Sequence, residues 1–183
     1  MTDTHDRKVI LYITESLDGF IAEKDGTTTW LSKLNNSEAY EDYQDFYNSI
    51  DTVIMGRRTY ADRVNKAGNY PYADKKTYVF STSIEDTDDP STVISGNVQE
   101  FVRRLKHEGG EDIWIVGGAD IFTDLLRAHL VDEIIITIAP VLLGDGISLV
   151  STNLDDVPLH LKATKRLGHF AQLTYTLPEK EEE

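Results

Sequence analysis

Three short stretches of this chain place groups able to hold an anion at the ends of apolar runs. In "VIMGRRTY", residues 53–60, the apolar run stops at Gly56 and is followed by Arg57, Arg58 and Thr59. Two guanidiniums, a hydroxyl and the amides of a beginning helix all suit phosphate or carboxylate oxygens. In "VFSTS", Ser81, Thr82 and Ser83 leave a second apolar run. In "IWIVGGADIF", Gly117 and Gly118 stand between a third run and an amphipathic segment, and Ala119 keeps the approach to that backbone open. Each stretch also has an ordinary reading: surface arginines bridging local carboxylates, a polar loop whose Ser83 caps a helix, and a turn in which Asp120 complements a helix dipole. Taken together, three such ends are more telling than any one, and they point to a phosphate-bearing ligand.

For these groups to meet, the apolar runs must be neighbouring strands of one sheet. "KVILYIT", residues 8–14, reads as a buried strand, as do "TVIMG", "KTYVFST" and "DIWIVGG", with "STVIS" a weaker one. "ESLDGFIAEKDGTTTWL" carries Asp-Gly at 18–19 and 25–26, which predicts a loop that doubles back with a brief hairpin. Tyr40, Tyr43, Tyr47 and Ile50 recur at helical spacing, with Ser37 as N-cap and an end near Asp51. "RRTYADR" begins a helix or a turn. Asn97 with Glu100 resembles a capping box ahead of the apolar face Val98, Phe101, Val102 and Leu105, with Gly109-Gly110 closing that helix. "ADIFTDLLRAHL" is a further helix and "DEIIITIAPVLLG" a strand ending at Pro140 or beyond. "LHLKATKRLG" and "FAQLTYTL" read as an antiparallel pair at a sheet edge. Strands alternating with helices up to about residue 139 predict an α/β protein with a mostly parallel sheet, whose ligands bind beyond the carboxyl ends of the strands.

Composition narrows the function classes. The 183 residues suit one domain, and 40% hydrophobic with 27% charged residues is an ordinary globular balance. The formal net charge of −14 disfavours nucleic acid and anionic membrane as partners. No apolar run is long enough to span a bilayer. The polar start "MTDTHDRK" shows no export signal, so a cytoplasmic protein is expected. Cysteine is absent and the five histidines form no HExxH pair, so no metal centre is expected. "PEKEEE", residues 178–183, reads as a solvated acidic tail. The Gly117-Gly118 stretch does not match GxGxxG.

"ITESLDGFIA", "VIMGRRTY", "YVFSTS", "IWIVGGADIF" and "IIITIAPVLLGDG" stand in the order seen in the dihydrofolate-reductase-like superfamily. The chain resembles most the branch holding the C-terminal reductase domain of bifunctional riboflavin-biosynthesis proteins and their small stand-alone relatives, over about residues 8–177. The resemblance implies a three-layer α/β fold with a central, mostly parallel sheet of about eight strands and an antiparallel C-terminal edge, spanning 1–183 as a single reductase domain. It implies NADPH as cofactor. Gly56, Arg57, Arg58 and Thr59 would contact it, with an arginine near the 2′-phosphate, and Ser81 and Thr82 would lie along the adenosine. Gly117, Gly118, Ala119, Asp120, Ile121 and Phe122 would cradle the pyrophosphate. "SLDGFIA" and Thr137 would border nicotinamide and substrate, and Gly144 and Gly146 would shape the substrate end. A homodimer is also implied.

In dihydrofolate reductases a carboxylate on the first long helix grips the substrate edge and a strand threonine supports it. Thr137 matches the threonine, whereas spacing from "VIMGR" falls on Tyr40 rather than on an acid. Glu38, Glu41, Asp42 and Asp45 all lie on the predicted helix; Asp42 is the best candidate among them, with Phe46 one turn on and able to share its face, and a solvated helix carboxylate is the alternative. Trp30 of "TTTWL" either stacks near the substrate or fills the core. Asp18 either makes the turn before Gly19 or orients substrate or the nicotinamide amide. The expected function is NADPH-dependent hydride transfer to a small conjugated heterocycle. The alternatives are a riboflavin-pathway pyrimidine reductase acting on a ribosylamino side chain, with no deaminase segment attached, and a non-catalytic NADPH- or nucleotide-binding module. The unmatched carboxylate keeps the last one open.

Overall fold

Runs of β-branched and aliphatic residues stack well on a pleated surface, and in this chain they pair into one large sheet. The computed structural model describes residues 6–83, 87 and 89–178. Its elements follow in the order β1 (Val9–Ser16), β2 (Phe20–Ala22), α1 (Thr29–Ser32), α2 (Ser37–Asn48), β3 (Ile50–Gly56), α3 (Arg57–Ala67), β4 (Lys76–Phe80) and β5 (Thr92–Ile94). They continue with α4 (Val98–Lys106), β6 (Asp112–Gly117), α5 (Ala119–Arg127), β7 (Glu133–Ala139), β8 (Ile147–Ser148), β9 (His160–Leu167) and β10 (Phe170–Thr176). The main sheet has eight strands in the order β5-β4-β3-β6-β1-β7-β10-β9. The first six are parallel, and β10 and β9 close the edge antiparallel. This is the expected mostly parallel α/β sheet with its antiparallel C-terminal edge.

Alternation along each strand sends side chains to two separate cores. Val9 and Leu11 of β1 join Ile113 and Ile115 of β6 beneath α4 and α5, where Val102, Leu105, Phe122 and Leu125 complete the packing. Ile10 and Tyr12 face the other way, with Trp114 and Val116, against Phe46 of α2 and Tyr72. Fully burying one such aliphatic or aromatic side chain contributes about 1.5–3 kcal/mol, so the helices are fixed to the sheet mainly by these two faces.

Several boundaries differ from the sequence expectations, each for a local reason. The N-cap of α2 is Asn36, not Ser37: its backbone is extended and its side chain accepts from the Ala39 amide, while Ser37 is already helical. The same helix ends at Asn48 because Ile50, 2% exposed, is needed in the core as the first residue of β3. β2 pairs with distant β8 in a two-stranded sheet rather than with a local partner. The last helical residue of α4 is Lys106, and Gly109-Gly110 lie in the turn beyond its C-cap His107. Asn97 does cap α4, accepting from the Glu100 amide at 3.0 Å. All but Pro178 of the acidic tail falls outside the described residues. No helix among the described residues is long and apolar enough to cross a membrane.

Candidate active site

Because β4, β3 and β6 are adjacent and parallel, their carboxyl ends emerge side by side. The chain leaves β3 at Gly56 into α3, β6 at Gly117 into α5, and β4 at Phe80 into Ser81–Ser83. A cleft of about 880 Å³ lies between them. Its walls include Gly56, Arg57, Arg58 and Thr59, then Ser81, Thr82 and Ser83, and then Gly118, Ala119, Asp120 and Ile121. Asn97 caps α4 with its own side chain, whereas neither Gly56 before α3 nor Gly118 before α5 provides a side-chain cap. Two helix starts therefore present amides without a side-chain acceptor to one cleft, which suits a bound phosphate.

Gly117 is required by its backbone, since its φ of 138° is unfavourable for a residue with a side chain. A Cβ on Gly117 or Gly118 would stand 3.5 or 3.4 Å from Thr59 Oγ1, so the β6–α5 turn approaches α3 closely at this hydroxyl. The Gly117–Gly118 peptide is cis. Phe122 was expected in the cradle but points away from it. Only 2% exposed, it belongs to the core beneath α5.

The cleft continues into an inner pocket of about 280 Å³, and Ile21, Ala22, Gly26, Thr59 and Gly118 line both. Tyr12, Thr14 and Thr137 form its sheet wall, with Thr14 and Thr137 in register on β1 and β7. Ala39 and Tyr43 of α2, Asp62 and Arg63 of α3, Tyr72 and Trp114 also line it. Tyr40 does not line this pocket and is 63% exposed.

Asp42 stands behind the sheet wall rather than in it. Its carboxylate accepts from Tyr12 Oη at 2.8 Å, from Gln172 Nε2 at 2.7 Å and from Lys165 Nζ at 2.5 Å. Gln172 Nε2 also donates to Thr137 Oγ1 at 3.1 Å. Burial pushes the Asp42 carboxyl up, but the hydrogen bonds from Lys165, Gln172 and Tyr12 outweigh it and hold the group below its ordinary value. The Tyr12 phenol moves the other way, raised by burial and then by the neighbouring Asp42. Asp42 is thus ionised beside a neutral Tyr12.

The remaining expected site residues separate from this pocket. Phe46 stacks on Tyr12 at 4.4 Å between centroids and meets Trp114 edge-on, so it is core and lines neither cavity. Trp30 is 6% exposed against Ala139, Leu167 and Phe170, while its neighbour Leu31 reaches the pocket. Asp18 lines neither cavity. It accepts from Ser16 Oγ at 2.6 Å and from the amides of Leu143 and Gly144, and these bonds, Ser16 first, hold its pKa down to about 2. Gly144 therefore receives the Asp18 clamp, and Gly146 packs on β2, where a Cβ would fall 2.3 Å from the Ala22 carbonyl oxygen. Both glycines shape the β2–β8 flap, whose Ile147 and Ser148 line the outer cleft. Sequence reasoning missed Tyr12, Gln172, Lys165 and Arg63. The one available signal was that Tyr12 and Thr14 alternate as polar residues along an otherwise apolar strand.

Comparison with known proteins agrees with this architecture. The model of the RibD C-terminal domain family matches residues 7–173. The uncharacterized protein YwjB of Bacillus subtilis (strain 168) is 43% identical over 171 residues, covering 93% of this chain and 98% of its own length. The crystal structure of a "putative riboflavin biosynthesis protein" from Shewanella sp. PV-4 superposes with a TM-score of 0.82 at 25% identity, over 94% of this chain and 99% of that one. A dihydrofolate reductase from Enterococcus faecalis, complexed with NADP(H) and RAB-propyl, shares the fold with a TM-score of 0.64 at 15% identity, over 94% and 97% of the two chains.

Proposed function

Because the chain belongs to the RibD C-terminal domain family, we propose that it is an NADPH-dependent reductase acting on a small conjugated heterocycle. The observation that carries this reading is the continuity of the two cavities. A phosphate-suited cleft with two uncapped helix starts opens directly into a pocket walled by Tyr12, Thr14 and Thr137. Arg57 and Arg58 would hold the 2′-phosphate, Ser81 and Thr82 the adenosine side, and the first-turn amides of α3 and α5 the pyrophosphate. When bound, the nicotinamide would supply the hydride.

The chain's own residues would orient the acceptor and handle the proton. Thr137 Oγ1 accepts from Gln172, so its single hydrogen can turn toward a carbonyl or imine in the pocket and stabilise charge developing there. Tyr12 Oη would give its proton to the reduced atom. Its hydrogen, donated to Asp42 Oδ2 at 2.8 Å in the free protein, would turn to the acceptor, and Lys165 on Asp42 Oδ1 would offset the charge left behind until solvent returns the proton. Asp42 is then a positioning group rather than one that grips the substrate. Its withdrawal behind the wall favours a ring held by hydroxyls, such as a pyrimidine bearing a ribosylamino arm, over a folate held by a carboxylate.

Titration with NADPH and NADH, followed by reduced-nicotinamide fluorescence, tests the reading. Tight, NADPH-preferring binding, then cofactor oxidation with a pyrimidine or pterin acceptor, is the expected result. Binding without oxidation by any such acceptor would favour a non-catalytic nucleotide-binding module. Binding of neither nucleotide would sink the proposal.

A further inference from the structure

Between β8 and β9 the chain runs from 149 to 159 without joining a strand or a helix. Val150, Ser151 and Thr152 of this stretch nevertheless form part of the wall of the outer cleft. Among the described residues neither the Ser151 nor the Thr152 hydroxyl has a hydrogen-bond partner, so both are free to meet a ligand. Irregular backbone has no ladder to fix it, and a wall made of it needs an anchor from elsewhere.

Helix α5 supplies that anchor. Ala119, Thr123 and Arg127 recur every four residues and so lie along one face of the helix. Thr123 is fully buried; its Oγ1 donates to the Ala119 carbonyl at 2.7 Å and accepts from the Ser151 amide at 2.9 Å. One turn further on, Arg127 Nη2 donates to the carbonyls of both Thr152 and Asn153 at 3.0 Å. The chain turns at this point: Asn153 is left-handed, with φ of 67°, a conformation asparagine adopts more readily than most residues. Asp124, which lines the cleft, accepts from Arg127 Nη1 at 3.1 Å. That ion pair is more than a third exposed on both sides and contributes little by itself. Its effect is to aim a rigid donor fork at the two carbonyls. The helix whose first turn presents amides to the cleft therefore also fixes a second part of the cleft wall.

We infer that Arg127 is a positioning residue for the nucleotide. It holds Ser151 and Thr152 against the adenosine half of the cofactor, the half assigned to the outer cleft, and acts on affinity through them. Arg127 itself lines neither cavity, and residues 150–152 do not line the inner pocket. This deepens the NADPH reading and rests on it for the identity of the ligand.

Calorimetric titration with 2′-phosphoadenosine 5′-diphosphoribose, which lacks the nicotinamide, tests this without turnover. Arg127→Met keeps the aliphatic stem and should weaken binding about tenfold. Arg127→Lys should recover part of the loss. Ser151→Ala combined with Thr152→Val should weaken binding in the parent and add little in Arg127→Met, because both changes act through the same wall. Amide hydrogen exchange at 151–153 should quicken in Arg127→Met, while exchange in β6 stays as in the parent. Unchanged affinity in Arg127→Met, or full additivity with the Ser151 and Thr152 replacements, would overturn the inference. Weaker binding with exchange at 151–153 unaltered would mean that Arg127 meets the ligand directly, and faster exchange throughout β6 would mean general destabilisation; either result overturns it too. A parent protein that does not bind the probe would sink the NADPH reading and this inference with it. Binding in the parent that Arg127→Met leaves untouched would sink this inference alone.

Discussion

Asp42 and Thr137 are joined through the side-chain amide of Gln172, which donates to Asp42 Oδ2 at 2.7 Å and to Thr137 Oγ1 at 3.1 Å. One NH₂ group thus sets the orientation of both residues from β10, a strand outside the parallel part of the sheet. Gln172 is only 5% exposed, so a replacement cannot be repaired by bulk water. Gln172→Leu should lower kcat about tenfold, because Thr137 and Asp42 lose their common donor. NADPH affinity should not change. Steady-state kinetics beside a cofactor titration separates the two, and an equal loss in both would place Gln172 in general stability instead.

Tyr12 carries the proton in the proposed mechanism. Its ring stacks on Phe46, so Tyr12→Phe keeps the packing and removes only the hydroxyl. General acid catalysis contributes about 10²–10⁴-fold, and kcat should fall by an amount in that range. The melting temperature should hardly move. A variant with unchanged kcat would exclude Tyr12 as donor.

Asp18 makes a stability prediction with a defined pH window. Hydrogen bonds from Ser16 Oγ and from the amides of Leu143 and Gly144 lower its pKa from 3.8 to about 2. A carboxylate whose folded pKa is depressed stabilises the fold above its unfolded value and loses that contribution as pH falls through the folded one. Asp18→Asn should therefore melt below the parent at neutral pH. The gap should narrow as pH drops from about 4 toward 2. A gap that is constant across that range would show that the clamp acts by shape and not by charge.

The parts of the site that lie at strand ends were legible because their signals are local. Gly56 interrupts one apolar run and is followed at once by Arg57, Arg58 and Thr59, and Gly117-Gly118 interrupts another ahead of Asp120. The sheet wall of the inner pocket was not legible in the same way. Tyr12 sits in a strand whose composition reads as core, and its partners Asp42 and Gln172 are 30 and 160 residues away. Helical spacing put Asp42 and Phe46 on one face, and in the structure both meet Tyr12, one at its hydroxyl and one at its ring. Spacing alone could not tell which of the two would be drawn into the core. Sequence spacing from "VIMGR" pointed to Tyr40, whereas Ala39 and Tyr43 are the α2 residues that line the pocket.

Asp120 sets two local effects against each other. It lies in the first turn of α5, where a negative charge complements the helix dipole, and it also lines the phosphate-suited cleft. A cofactor phosphate bound at the same helix start would meet this carboxylate as a like charge. Asp120→Asn should therefore tighten NADPH about two- to threefold at low salt, the size expected for an exposed charge pair. The gain should shrink as ionic strength rises and the Debye length falls below about 10 Å. The substitution should also cost a small part of the helix-dipole stabilisation, so the apo protein should melt slightly lower even as its affinity improves. A titration at two salt concentrations reads the first effect and a melting curve the second. Weaker NADPH binding in Asp120→Asn at both salts would mean that the carboxylate accepts a hydrogen bond from the cofactor, and the pyrophosphate would then have to sit nearer the start of α3.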